Sequence, residues 1–328
     1  MAFPNQTVLP EGLPRFKGNL HSHTTNSDGH WTPERAVQEF RAHGYQFLCL
    51  SEHDLYTDYS SQFDRDDFII LPGLEASAVL IADDGTGARL RTHHMHGILG
   101  TNEMIVAAPE HFAHMERLEP IVCRGSWDGR AVAQELADTL AAHGCAVTYN
   151  HPIWSRIEPD DVLGLTGVFG IEVYNYDTVN ESGTGADTVY WDLMLRRGAR
   201  LGAIAADDNH NEGLFDDSFG GWVVVCAPTL TRDAVVRALI EGAYYSSSGP
   251  AIDNWGVYDG RVWVECSPCE RVNMVAGGFI NAGSTVIAES DEGLCRAEFA
   301  LRGDETYIRL ECVDAQGKTA WTNPIYAD

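Results

Sequence analysis

The chain has 328 residues, of which 44% are hydrophobic and 21% are charged, a balance typical of a water-soluble globular protein. Its 48 acidic side chains outnumber 22 basic ones, and the formal net charge of −26 argues against a nucleic-acid duplex or an anionic membrane as the main partner. No run of 18 apolar residues occurs, and the N-terminal stretch lacks the pattern of a secretory signal, so we expect a cytoplasmic protein with reduced cysteines. Composition indicates no oligomeric state.

Strand-like and helix-like segments alternate between residues 16 and 245. In chain order, the predicted strands are the short apolar runs at 16–23, 47–54, 68–77, 92–100, 146–152, 169–175, 201–208 and 222–228. The predicted helices show helical apolar spacing and lie at 33–43, 129–143, 188–197 and 232–242. Thr32 and Pro33 start the first helix as a cap residue followed by proline. These repeated strand–helix units predict an α/β fold on a parallel sheet, either open or closed into a barrel.

The tail of the chain, residues 251–328, has a different character. It contains short alternating stretches such as GRVWVEC, RAEFALR and TYIRLECV, separated by Gly, Asp and Asn turns. Alternation of this kind is typical of half-buried strands, and the tail shows no convincing helical pattern. We therefore expect two domains, an α/β domain at 1–250 and a small C-terminal β-sandwich at 251–328.

Ligand-type side chains occur at the ends of the predicted strands. In chain order they are His21, His23, His53, Glu75, His94, His96, His151, Asp208 and His210, with Asp28 in a Ser-Asp-Gly turn after the first strand. The C-terminal ends of parallel strands converge on one face of an α/β barrel, where active sites are built. Residues two apart in a strand share a face, so His21 and His23 can reach one site together.

Imidazole and carboxylate groups that converge in this way are ligands for Zn²⁺, Mn²⁺ or Fe²⁺. One His-x-His pair is a weak signal, whereas an ordered set at successive strand ends is a strong one. The competing interpretation, a group of hydrogen-bonded core histidines, does not account for that order. His94 and His96 face the same way; His96 lies nearer the strand end and is preferred, and His94 is kept as the alternative.

Six short motifs resemble those of the PHP (polymerase and histidinol phosphatase) superfamily in type and order. They are GNLHSHTTNSDG, SEHD, GLE, a histidine on the next strand, NHP and DDNH, and they cover residues 16 to about 250. The start FKGNLHSHTTNSDG, the strand IEVYN and the closing AWTNPI resemble the CehA/McbA-like metallohydrolase subgroup. The resemblance implies a distorted (β/α)7 PHP barrel followed by a small C-terminal β-domain.

The resemblance also implies a trinuclear site with zinc, manganese or iron. Carried over motif by motif, the first metal is held by His21, His23, Glu75 and Asp208. The second is held by Glu75 as a bridging ligand together with His96 and His151. The third is held by Asp28, His53 and His210.

Lysine content separates this prediction from the amidohydrolase barrels, which also open with a His-x-His pair. Many binuclear members of that superfamily need a carbamylated lysine on a middle strand. The only lysines of this chain are Lys17 and Lys318, and neither can occupy that position.

The predicted function is metal-dependent hydrolysis of a small phosphate mono- or diester by a metal-bridging hydroxide. The net charge does not oppose this, because metal cations can reverse the local field. We expect Glu75, Asp208 and His151 to be the catalytic residues. Arg156 and Lys17 are candidate phosphate-binding residues. Glu172 is a candidate contact to the substrate or to metal-bound water.

Two alternatives stay open at this point. One keeps the metals and changes the bond to a carbamate, amide or carboxylic ester. The other is a noncatalytic module that binds metal structurally, which an open set of nine candidate ligands disfavours. Converging arginines would favour a phosphate substrate, whereas an aromatic pocket formed by Trp154, Tyr174 and Trp191 would favour a neutral ester.

Overall fold

The computed structural model describes residues 3–327. Its helices are α1 (Pro33–Ala42), α2 (Ser60–Phe63), α3 (Asn102–Ala107), α4 (Gly129–Ala142), α5 (Tyr176–Ser182), α6 (Thr188–Arg196) and α7 (Arg232–Ile240), with a 3₁₀ turn at Pro159–Asp161. Strands of the first 250 residues are β1 (Gln6–Thr7), β2 (Arg15–Asn19), β3 (Phe47–Cys49), β4 (Leu55–Tyr56), β5 (Ile69–Leu71), β6 (Gly73–Ile81), β7 (Arg89–Leu99), β8 (Glu116–Arg117), β9 (Ile121–Arg124), β10 (Cys145–Tyr149), β11 (Val168–Asn175), β12 (Gly202–Ala206), β13 (Trp222–Cys226) and β14 (Tyr244–Ser247). Those of the tail are β15 (Ile252–Tyr258), β16 (Arg261–Cys269), β17 (Arg271–Ala276), β18 (Ser284–Ile287), β19 (Leu294–Ala300), β20 (Tyr307–Val313), β21 (Thr319–Thr322) and β22 (Ile325–Tyr326).

The four predicted helices correspond to α1, α4, α6 and α7 of the structure. Capping residues account for the limits of α1 and α4. The Thr32 hydroxyl accepts a hydrogen bond from the Arg35 N–H (3.3 Å), which satisfies one free donor of the first turn of α1. The Asp128 side chain caps α4 in the same way, by accepting a hydrogen bond from the Ala131 N–H. Gly44 and Gly144 follow α1 and α4 with φ of 77° and 76°, a left-handed conformation that glycine adopts without steric cost.

Two large sheets frame the candidate site. A six-stranded sheet has the order β12-β11-β10-β7-β6-β9, and a ten-stranded sheet runs β18-β17-β20-β21-β14-β13-β2-β3-β5, with β22 paired to β20. Strands β10, β11 and β12 are parallel, and so are β2, β3 and β5. The predicted mixed α/β class is therefore confirmed.

Continuous strand pairing within residues 3–327 does not close these sheets into a barrel. Strand β7 runs antiparallel to both β6 and β10, and β13 runs antiparallel to both β2 and β14, so the parallel array is interrupted twice. Single bridges between Ser22 and Asn209 and between His53 and Glu75 connect the two sheets. The predicted distorted (β/α)7 barrel is thus not confirmed, and the sheets meet through isolated bridges at the candidate site.

The tail continues the ten-stranded sheet across residue 250. Tyr245 on β14 pairs with Thr322 on β21, and β20, β17 and β18 follow outward. A four-stranded sheet, β1-β15-β16-β19, packs against these outer strands through a shared apolar core that includes Trp255 and Leu310. The boundary at residue 250 and the β-sandwich assignment stay predictions.

Two further properties bear on the expected environment of the protein. All eight cysteines are free thiols. Among the described residues, no helix combines the length and the apolar character needed to cross a membrane. The expected cytoplasmic location stays a prediction.

The buried side chain of Asn323 joins the tail to the α/β part of the chain, which gives a stability prediction. Its Oδ1 accepts from the Ala203 N–H (3.0 Å) and its Nδ2 donates to the Tyr244 carbonyl (3.0 Å). Asn323→Ala should lower the free energy of unfolding by about 2–4 kcal/mol, because it leaves buried backbone groups without partners. Urea denaturation measures this change. The control Gln316→Ala alters an exposed turn residue and should stay within about 0.5 kcal/mol of wild type; an equally small effect for Asn323→Ala would contradict the prediction.

Candidate metal centre

The candidate ligands lie where several strands of the two large sheets end. His21 and His23 follow β2, and His53 follows β3. Glu75 lies on β6 and forms, with His53, one of the single bridges that join the sheets. The remaining candidates lie on β7 or follow β10 and β12; they are His94, His96, His151, Asp208 and His210. The polypeptide therefore delivers these side chains from separate segments to one end of the sheets.

One group of four buried side chains consists of His21, His23, Glu75 and Asp208. Asp208 Oδ1 lies 2.9 Å from His21 Nε2 and 3.0 Å from His23 Nε2. The two Nε2 atoms are 3.1 Å apart, and His21 Nε2 is 3.2 Å from Glu75 Oε1. Ligands about 2.1 Å from one cation are separated from each other by about 3 Å, so these spacings suit a single metal ion.

A second group opens to the solvent and contains His23, Asp28, His53 and His210. Asp28 Oδ2 lies 3.3 Å from His53 Nε2, and Asp28 Oδ1 lies 3.5 Å from His210 Nε2 and 3.8 Å from His23 Nδ1. The Asp28 side chain is 54% exposed, unlike the buried group beside it. His23 faces both groups, with Nε2 toward Asp208 and Nδ1 toward Asp28.

A third set of contacts surrounds Glu75. Its Oε1 lies 3.2 Å from His151 Nε2 and 3.3 Å from His94 Nδ1, and its Oε2 lies 2.9 Å from His53 Nδ1. His96 takes a different position, with its ring edge-on to His21 at a centroid distance of 4.1 Å and its Nδ1 3.4 Å from the Thr148 hydroxyl. Of the two histidines, only His94 has a ring nitrogen within 4 Å of a Glu75 oxygen, whereas His96 groups with His21 and Glu172. The preference for His96 stays a prediction.

Several buried polar atoms of the cluster have no hydrogen-bond partner among residues 3–327. They are His23 Nδ1, Glu75 Oε2, His94 Nδ1, His96 Nε2 and Asp208 Oδ1. A buried polar atom without a partner is costly, and most find one in native proteins. Lone pairs on neutral imidazole and carboxylate are donor atoms for divalent cations, so the residues present fit the predicted ions.

Glu172 lies behind His21, away from the open side of the cluster. Its Oε1 is 2.6 Å from His21 Nδ1, and its Oε2 accepts from the His151 N–H (3.2 Å) and from Asn175 Nδ2 (3.1 Å). Asn175 Nδ2 also donates to Asp208 Oδ2 (2.9 Å). Carboxylates in this position fix the tautomer of a metal-binding imidazole. Glu172, predicted to contact substrate or metal-bound water, is fully buried in this network.

Asn150 is a contact that the sequence analysis did not assign. Its Nδ2 donates to Glu75 Oε1 at 2.7 Å, so it helps to fix this carboxylate. The available signal was its position directly before His151 in the Asn-His-Pro motif.

The backbone is strained at four positions in this region. Asp54, His151, Asp208 and Asn211 have φ of 51°, 22°, 58° and 59°, in the left-handed region that costs energy for residues with a Cβ atom. Two of the four are candidate ligands, and the other two directly follow the candidate ligands His53 and His210. Strain of this kind persists only where surrounding contacts hold it, as the buried hydrogen bonds of this cluster do.

Burial and neighbouring charges set the protonation of the buried group. Burial disfavours the charged form of Glu75 and Asp208, but the adjacent histidines outweigh this effect and hold the pKa of both carboxyls well below the usual range. Burial, together with His53 and His210, lowers the pKa of His23 to about 3. At neutral pH the carboxylates are therefore ionised and His23 is neutral. Burial lowers the pKa of His21, His53 and His151, but the neighbouring carboxylates outweigh it and raise all three, that of His151 to about 9, so cations bound there would displace protons from these imidazoles.

An open cavity of about 750 Å³ lies over the cluster, a size suited to small-molecule ligands. His53, His94, His151, Asp208 and His210 are among its lining residues. Its lining includes Trp154 but neither Tyr174 nor Trp191.

The two predicted phosphate-binding residues lie apart from this cavity. The ammonium group of Lys17 lies 4.0 Å from the ring centroid of Tyr45 and 4.1 Å from that of Trp222. Arg156 is exposed, and neither it nor Lys17 lines the cavity. Their role in phosphate binding stays a prediction. Arg89 and Arg117, which the sequence analysis passed over, do line the cavity.

Comparisons with known proteins give weak likenesses. No protein-family model matches the chain, and no curated protein matches it. Among solved structures it is similar to a two-domain protein from Bacteroides vulgatus that contains a predicted PHP-like metal-dependent phosphoesterase, with 13% identity, a TM-score of 0.46 and coverage of 99% of this chain and 100% of that one. It is also similar to a candidate metal-dependent phosphoesterase from Bifidobacterium adolescentis, with 14% identity, a TM-score of 0.39 and coverage of 68% and 95%. At these TM-scores, neither likeness carries an argument about this chain.

Chelation tests the fit between the cluster and divalent cations. Removal of metal with a chelator should lower Tm by about 5 °C or more, and added Mn²⁺ or Zn²⁺ should restore it, because a ligand bound only by the folded state stabilises that state. Asp208→Asn should lose both the bound metal and the response to added metal. Metal analysis and thermal denaturation measure these effects, with Asp66→Asn, at an exposed position, as the matched control. An unchanged wild-type Tm after chelation would contradict the prediction.

Proposed function

We propose that this chain is a metal-dependent phosphoesterase of the PHP superfamily, similar to the CehA/McbA-like subgroup, that hydrolyses a small phosphate mono- or diester. The observation that carries the proposal is the convergence of His, Asp and Glu side chains around Glu75 and Asp208 at the floor of an open cavity. The sequence motifs supply the family. The proposed architecture is a distorted barrel at 1–250, joined at the site by two single bridges, followed by a β-sandwich at 251–328.

The proposed ligand set comprises three divalent cations of zinc, manganese or iron. His21, His23, Glu75 and Asp208 would hold the first. Glu75, His94 and His151 would hold the second, with His94 in place of His96 because of its contact with Glu75. Asp28, His53 and His210 would hold the third.

The net charge of the metal-loaded site would suit a phosphate group. Three divalent cations carry +6 against −3 from Asp28, Glu75 and Asp208, so a chain with a net charge of −26 would still present a positive site. When bound, such ions act as Lewis acids and lower the pKa of bound water.

The residues of the chain keep this arrangement fixed before a substrate arrives. Glu75 presents one oxygen toward His94 and His151 and the other toward His53. Glu172 contacts His21 Nδ1, so that Nε2 faces the first cation position. Preorganisation of this kind avoids a cost of reorganisation during the reaction. The exposed side of Asp28 leaves the third group open to the cavity, where a phosphate oxygen would enter.

A second candidate function is hydrolysis of a carbamate, amide or carboxylic ester at the same site. The observation that favours it is the apolar part of the cavity lining, where Trp154, Val79 and Val122 lie in the same cavity as His94 and His151. An uncharged aromatic ester would pack against these side chains.

Hydrolysis assays separate the two candidate functions. Metal-loaded protein should turn over 4-nitrophenyl phosphate or bis(4-nitrophenyl) phosphate and leave an aryl carbamate intact. Asp208→Asn should lower kcat/KM at least about a hundredfold, since even residues that only support metal ligands cost 10- to 100-fold. Asp66→Asn should keep wild-type activity. Turnover of the carbamate alone, or full activity of Asp208→Asn, would overturn the proposal.

The choice between His94 and His96 has its own test. Both are buried on β7, so alanine substitution removes a similar volume from similar surroundings. His94→Ala should lose about one metal ion per chain, because it removes a contact to Glu75, whereas His96→Ala should keep the wild-type metal content. Metal analysis of the two purified variants measures the difference, and loss from His96→Ala alone would restore the assignment favoured by the sequence.

A further inference from the structure

One strand connects the candidate metal centre to the outer rim of the cavity. Ser77, Val79 and Ile81 follow Glu75 at every second position of β6, and all three line the cavity. Residues two apart in a strand share a face, so this face runs from the buried carboxylate to the rim. Six residues at about 3.3 Å each give a path of roughly 20 Å.

The middle of this path is apolar. Val79 pairs with Val122 in the parallel register of β6 and β9, and both side chains line the cavity, as does Pro120 on the segment before β9. Val122 is 50% exposed, which is unfavourable for an apolar side chain with nothing packed over it. A ligand with an apolar section would cover this strip.

The rim carries two arginines, Arg89 and Arg117. Arg89 pairs with Ile81 at the start of β7, and Arg117 pairs with Leu55 where β8 meets β4. Within residues 3–327 neither guanidinium forms an ion pair or a side-chain hydrogen bond, although the chain has 48 acidic residues to 22 basic ones. Arg91, two residues from Arg89, shows the usual arrangement, since it pairs with Glu158 and Asp161.

Other residues that line the cavity are acidic. Besides the candidate ligands Asp28 and Asp208, they are Asp54, Asp177, Glu181, Glu212 and Asp217. An anionic group in the cavity is therefore repelled by these carboxylates and attracted to Arg89 and Arg117. Guanidinium groups bind carboxylate and phosphate through paired hydrogen bonds, which adds geometric selectivity.

We propose that the substrate is a phosphate ester whose leaving group extends over the apolar strip and ends in a second anionic group, a carboxylate or a phosphate, bound by Arg89 and Arg117. This inference rests on the proposed phosphoesterase function. The outer part of the cavity would then recognise the distal anionic group of the substrate. Arg89 and Arg117, which are not candidate metal ligands, would set this specificity.

A binding experiment with a non-hydrolysable ligand tests this inference without requiring turnover. In 11-phosphonoundecanoic acid a phosphonate and a carboxylate are joined by an apolar chain, and its carboxylate methyl ester lacks only the distal charge. Isothermal titration of Mn²⁺-loaded protein should give at least about tenfold tighter binding of the acid than of the methyl ester. The bisphosphonate of the same length tests a terminal phosphate in place of the carboxylate.

Substitution of Arg89 and Arg117 tests whether these two residues cause the tighter binding of the acid. In Arg89→Ala/Arg117→Ala the advantage of the acid over its methyl ester should fall below about twofold. Arg124→Ala removes an equivalent charge from β9 outside the cavity lining and should keep the wild-type preference. Equal affinity of the acid and the methyl ester for wild type, with no preference for the bisphosphonate, would overturn the inference, and so would a preference that survives in the double variant.

The failure of this inference is distinguishable from failure of the proposed function. The matching substrate is the phosphate monoester of 11-hydroxyundecanoic acid. A charge preference in binding that depends on Arg89 and Arg117, without hydrolysis of this ester, would count against the phosphoesterase function and support the recognition site. Hydrolysis of this ester and its methyl ester with equal kcat/KM, together with equal binding of their analogues, would support the function and remove the recognition site.

Discussion

The structure of this site depends on one fully buried carboxylate, Glu75, placed among five histidines. A carboxylate removed from water is strongly destabilising unless opposite charge or hydrogen-bond donors surround it. Asn150 supplies one donor, and the ring nitrogens of the five histidines lie 2.9–3.5 Å from its two oxygens. Those histidines cannot all be protonated together at such short separations without strong repulsion. Glu75 and the neutral imidazoles together would hold divalent cations, whose charge would offset that of the carboxylate without protonation of the histidines.

The fold brings separate segments of the chain together around Glu75. Strand β6 carries Glu75 at the edge where the two large sheets meet through the bridge to His53. Strand β7 carries His94, and loops after β2, β10 and β12 deliver the other candidate ligands. Two of these, His151 and Asp208, adopt strained left-handed backbone conformations. The hydrogen bonds of Glu172 and Asn175 hold these loops in position. Local strain is thus maintained by a buried polar network around the site.

The sequence predicts which His, Asp and Glu side chains converge, because periodicity and strand-end position are local properties. The i, i+2 spacing of His21 and His23 and the four predicted helices needed no tertiary information. The choice between His94 and His96 could not be made in this way, since both share one face of β7. They differ in tertiary contacts, because His94 contacts Glu75 and His96 packs against His21. The antiparallel direction of β7 and the pairing of β14 with β21 likewise depend on contacts between residues distant in sequence.

The basic residues of the cavity likewise could not be predicted from local sequence. Proximity in sequence to ligand motifs predicts Lys17 and Arg156 as phosphate-binding residues, yet the arginines that line the cavity are Arg89 and Arg117. Their position arises from the outward extension of β6 and β7 and from the short pair of β4 and β8. Residues that recognise a substrate are often carried by such peripheral segments, which vary independently of the core.

The most direct test of the central claim is an anomalous-difference map from crystals of the protein loaded with Mn²⁺ or Zn²⁺. We expect a strong peak beside His21, His23, Glu75 and Asp208, a second beside Glu75, His94 and His151, and a third beside Asp28, His53 and His210. A map with no peak within bonding distance of Glu75 and Asp208 would contradict the proposed metal site.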